Sequence, residues 1–110
     1  MKKKIYIFSE IVTFAHQISN KEIVETKEVL MRQEEDGISV AHRLAWRADT
    51  TNWSTDDKEI LLLQDKDGDS VAHWLASWHL TWITDDLEIL SLANRWGRTV
   101  EDTLVKRGKI

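Results

Sequence analysis

The sequence predicts an all-α fold: a short stack of helix–turn–helix units, a solenoid, with capping units at its ends. Three observations lead there. The heptapeptide Asp36-Gly37-Ile38-Ser39-Val40-Ala41-His42 returns 31 residues later as Asp67-Gly68-Asp69-Ser70-Val71-Ala72-His73, and a period of roughly 20–50 residues marks repeat architectures. The residues after each copy place apolar side chains at helical spacing. The 110 residues contain no proline, and strand-type alternation is almost absent, as a helical chain requires.

At the start, Met1-Lys2-Lys3-Lys4 precedes Ile5-Tyr6-Ile7-Phe8 in the manner of a signal peptide, but Ser9-Glu10 ends the apolar run too early. Residues 4–8 are the one stretch compatible with a strand as well as a helix. Next, Thr13-Phe14-Ala15-His16-Gln17-Ile18 reads as a worn copy of Ser39-Val40-Ala41-His42-Arg43-Leu44, which implies a degenerate first unit.

Each later unit reads as two helices. The first begins at Ser39, Ser70 or Thr99, whose hydroxyls accept from free amides at a helix start. Val40, Ala41, Leu44 and Ala45, and again Val71, Ala72, Leu75 and Ala76, then form one apolar stripe. The recurring alanines allow close approach of neighbouring helices. The second helix is expected to start at Thr55 or Thr84, with paired aspartates opposing the helix dipole in its first turn. Its buried side carries Ile60, Leu61 and Leu63, or Ile89, Leu90 and Leu92. Aligned on glycine, residues 28–37 match 59–68 and 88–97 without gaps, and Gly37, Gly68 and Gly97 are expected to turn the chain at positive φ. The result is one domain, residues 1–110, with units at about 1–36, 37–67, 68–96 and 97–110. Asp102 and Glu101 replace His and Ala in the last unit, and Lys106-Arg107-Gly108-Lys109 ends it with polar residues, as a cap requires.

Composition narrows the function. With no cysteine, disulfides and thiolate zinc sites are excluded. No stretch approaches the ~20 apolar residues of a membrane span, so a cytoplasmic protein without membrane association is expected. A net charge of −4 argues against broad binding to nucleic acid.

The histidines 16, 42, 73 and 79 invite a metal or hydrolytic reading. Helices that stack ~8–10 Å apart do not readily bring equivalent histidines to the ~2 Å that zinc ligation needs. Hydrogen bonding between turns is the expected role of the column at 16, 42 and 73, and His79 is expected at the surface or an interface. Asp65-Lys66-Asp67-Gly68-Asp69 resembles the start of a calcium loop, but Ser70 and Ala76 stand where that loop needs glycine and a bidentate glutamate. Ser39 with His42, and Ser70 with His73, imitate a nucleophile–base pair, but their repetition in one frame points to structure. No catalytic residue, cofactor or metal is therefore assigned.

The tryptophans divide. Trp53 and Trp82 are equivalent and are expected to clamp the inter-helix loop, and Trp96 is expected to pack locally. Trp46, Trp74 and Trp78 do not repeat: Ser77, Arg43 and Arg47 stand in register with them. Non-repeating Trp and Arg are the residue types of binding hot spots. The candidate partner-binding set is Arg43, Trp46, Arg47, Trp74, Trp78 and His79.

The run Gly-x-Ser-Val-Ala-His-x-Leu-Ala resembles the ankyrin signature Gly-x-Thr-Pro-Leu-His-x-Ala-Ala, and Glu-Ile-Leu resembles that family's second-helix opening. The pattern also resembles Gly-x-Thr-Val-Ala-His repeats of uncharacterised bacterial and phage proteins. The resemblance implies mainly structural hydrogen bonds for Ser39, His42, Ser70 and His73. Val40 and Val71 replace the ankyrin proline, and the short stretch from Glu to the next Gly leaves little room for a finger-like hairpin. The expected function is a non-enzymatic protein–protein interaction module, with small size and acidity compatible with a phage- or plasmid-encoded inhibitor of a host system. The alternative is a small metal-dependent or His-based hydrolase.

Overall fold

Each glycine turn opens the same local assembly. The computed structural model of the protein describes residues 27–110; the copy at 13–18 with His16, and residues 4–8, lie outside the described residues. Among the described residues seven helices follow in order: α1 (Lys27–Leu30), α2 (Val40–Trp46), α3 (Ala48–Thr51), α4 (Lys58–Leu61), α5 (Val71–Trp78), α6 (Leu87–Leu90) and α7 (Val100–Lys106). The described residues are all-α. Their only strand-type pairings are isolated antiparallel bridges, Gln33 to Ser39, Gln64 to Ser70 and Ala93 to Thr99, which close the loops around the three glycines. None of their helices is long and apolar enough to cross a membrane.

The longer helices α2, α5 and α7 start where the hydroxyl column predicts. Ser39, Ser70 and Thr99 cap them, and the residue three places on returns the bond in a capping box. That residue is His42, His73 or Asp102. The second helices start later than the sequence suggests. Asp57 and Asp86 are the caps, each accepting from the amide three residues on, while Thr55 and Thr84 accept from the amides of those aspartates and shape the approach. A carboxylate opposes the helix dipole with full charge, so it takes the cap from threonine.

Helix α5 packs between α2 and α7. Leu44, Leu75 and Leu104 are each 0% exposed and form a spine flanked by Val40, Val71 and Val100. Ala41, Ala45, Ala72 and Ala76 are buried at the helix contacts; their counterparts on α7, Glu101 and Val105, are exposed. Ile60, Leu61 and Ile89 of the second helices are buried, and Leu63, Leu90 and Leu92 pack partly buried against the same core, as do Trp53 and Trp82.

A ladder of hydrogen bonds joins successive turns. The Lys66 amide donates to Asp36 O and the Arg95 amide to Asp67 O, both at 2.9 Å. Gln33 donates to Gln64 O, and Gln64 to Ala93 O. His42 Nδ1 accepts from the Ser39 amide at 3.1 Å, so Nε2 carries the proton and donates to Asp69 O at 3.0 Å. His73 repeats this with the Ser70 amide and Arg98 O. On the outer edge, Lys27 pairs with Asp57 and Glu59, and Lys58 with Asp86 and Glu88. Water screens these exposed pairs, so they add little to stability; the buried histidines matter more.

Candidate functional site

An open groove of about 630 Å³ runs along the outward faces of α5 and α7. Four tryptophans line it. Trp46 reaches in from the end of α2, Trp74 and Trp78 from consecutive turns of α5, and Trp96 from the loop before Gly97. Trp46 and Trp78 meet edge to face, with centroids 6.5 Å apart, and are 44% and 40% exposed. Trp74 is half-buried and meets the ring of His42 edge to face at 5.2 Å. Trp96 is 67% exposed, and the Arg95 guanidinium, itself paired with Asp67, covers its ring at 5.3 Å.

The same lining is also cationic. Arg98, Lys106 and Arg107 are exposed there, against the single carboxylate of Asp69, whose Oδ1 accepts from Asn94 at 2.8 Å. Both sets come from columns that vary. In register with Trp46 stand Ser77 and Lys106; with Arg47 stand Trp78 and Arg107; with Ile38 stand Asp69 and Arg98. The columns that repeat face the core or the ladder.

The structure thus brings Trp46, Trp74 and Trp78 of the candidate set together. Arg43 and Arg47 lie half-buried outside the groove lining; Arg43 pairs with Glu34 at 3.6 Å, and Arg47 is the C-cap of α2. His79 is 6% exposed. Its Nδ1 accepts from the Thr81 and Trp82 amides, and burial lowers its pKa against a backbone hydrogen bond with Asn52. This ring holds the loop after α5, and Lys109 closes the same helix end by donating to Ala76 O at 2.9 Å and to His79 O. Trp96, expected to pack locally, is instead an exposed residue of the groove; Arg98, Lys106 and Arg107 join it there, and the register columns of Trp46 and Trp78 contain two of them.

The histidines of the repeated motif face the ladder. Burial lowers the pKa of His42 below its usual 6.5, outweighing the Asp69 carbonyl and nearby carboxylates that favour the charged ring. In α7 the backbone amide of Thr99 holds the Asp102 carboxyl below the usual range. Asp102 reproduces the capping bond of histidine but has no proton to pass to another turn. Among the described residues no group of three His, Asp or Glu side chains is placed to hold a metal ion. Compared with protein-family models, curated proteins and solved structures, the chain matches none, so the functional reading rests on the chemistry of the groove.

Proposed function

We propose that the protein is a non-enzymatic protein–protein interaction module acting inside the cell. In this reading it is a short, ankyrin-like solenoid whose repeated columns build the scaffold and whose variable columns dock a partner. The observation that carries the proposal is the exposed Trp46–Trp78 pair in the groove. Clustered, solvent-facing indoles beside arginine are the composition of interface hot spots. The commitment of both ring nitrogens of His42 and His73 to hydrogen bonds supports a structural role for the Ser–His pairs over a nucleophile–base role.

Replacing Trp46 and Trp78 together with alanine tests this. Both side chains are exposed, so the circular dichroism spectrum and thermal midpoint should stay near those of the parent. Capture of a partner cross-linked in the native host should fall by more than tenfold, since each hot-spot residue contributes about 2 kcal/mol or more. Undiminished capture by a folded variant would sink the proposal.

A further inference from the structure

We infer that the groove takes an acidic segment of its protein partner, an apolar or aromatic side chain seated among the tryptophans and carboxylates on the cationic residues. The inference rests on the groove being the docking surface and adds the partner's chemistry. Charge complementarity carries it. The chain has a net charge of −4, and Lys27, Arg43, Lys58 and Arg95 each pair with a carboxylate. Arg98, Lys106 and Arg107 converge on one groove, and, as with Arg32, Arg47 and Lys66 elsewhere, none of them forms an ion pair among the described residues.

The helix dipole accounts for part of this cationic lining. Lys106 and Arg107 stand at the C-terminal end of α7, where a cation is favourable. Arg98 stands before the Thr99 cap, at the end where a cation is unfavourable, and it interacts with the Asp102 carboxylate of the same helix. The equivalent positions in the preceding turns hold Ile38 and Asp69, so the scaffold has no need of a cation there. Paired guanidiniums favour carboxylates through bidentate, charge-assisted bonds, and the adjoining indoles supply an apolar seat. Aromatic rings beside cations also suit single-stranded nucleic acid, but the negative charge over the rest of the chain opposes a long polyanion.

The test is selection of a random dodecapeptide library, displayed on phage, against the full-length chain, with recovered peptides measured by fluorescence anisotropy. Recovered peptides should be rich in Asp and Glu around one Phe, Trp or Leu. Their affinity should fall several-fold when salt rises from about 50 to about 300 mM. The R98E/R107E variant should bind them at least about tenfold more weakly and select basic peptides instead. Peptides without acidic enrichment that are still lost on W46A/W78A would overturn the acidic preference and leave the groove reading standing. Peptides that survive W46A/W78A would overturn the groove reading itself. Failure to enrich any peptide, or tighter binding of an oligothymidylate of similar length, would also overturn the inference.

Discussion

Replacing Gly68 with alanine should destabilise the fold far more than the same change at Gly97. Both residues have positive φ, +81° and +82°, where an L side chain costs about 1–2 kcal/mol. Their surroundings differ. A Cβ on Gly68 would lie 2.9 Å from Arg95 N and 3.0 Å from Asn94 Cα, both backbone atoms; at Gly97 it meets nothing within 4 Å. The clash also falls where the Arg95 amide donates to Asp67 O, so relief by movement breaks the ladder. Overpacking adds about 1–3 kcal/mol, which puts G68A at roughly 2–5 kcal/mol against about 1–2 for G97A. Urea unfolding followed by circular dichroism measures both. Equal losses would mean that the turns do not pack against one another at this glycine.

The second large effect is expected at His42. The ring is 0% exposed, and alanine would strand the Ser39 amide and remove the donor to Asp69 O. A buried polar group left without its partner costs about 1–3 kcal/mol, so H42A should lose on the order of 2–5 kcal/mol. H42N should lose less, because its amide oxygen is placed to accept from Ser39 although it falls short of Asp69. The same ring sets a pH dependence. Its folded pKa is lowered, so the unfolded chain takes up protons first. The stabilisation is complete above about pH 6.5 and is lost as pH falls through the range between the unfolded and folded values. His79 titrates in the same direction. The urea midpoint should therefore drop from pH 8 to pH 5, with a shallower slope in H42N. A slope unchanged by H42N would remove His42 as its cause.

Much of the scaffold was legible because its determinants are local. Ser39, Ser70 and Thr99 announce helix starts through side-chain chemistry within three residues, and the glycines announce positive φ. The second helix starts were misplaced because threonine and aspartate both cap helices, and the sequence does not show that Thr55 and Thr84 bond to the aspartate amides instead. The groove was half legible. Failure to repeat exposed Trp46, Trp74 and Trp78, but reading Lys106 and Arg107 only as polar ending residues hid their place in the same columns. The sequence puts His79 at the surface or an interface, but the ring is buried because the loop after α5 folds back and the Thr81 and Trp82 amides donate to it, a loop path that local residue chemistry does not announce.

If tryptophans from varying columns dock a partner while those that repeat hold the fold, the two groups must respond differently to a bound peptide. The six tryptophans should give six indole N–H signals in a proton–nitrogen correlation spectrum, each assignable by single substitution. Titration with a selected peptide should shift those of Trp46, Trp74, Trp78 and Trp96 and leave those of Trp53 and Trp82 in place. Shifts confined to Trp53 and Trp82, with the groove signals unmoved at saturation, would contradict the account.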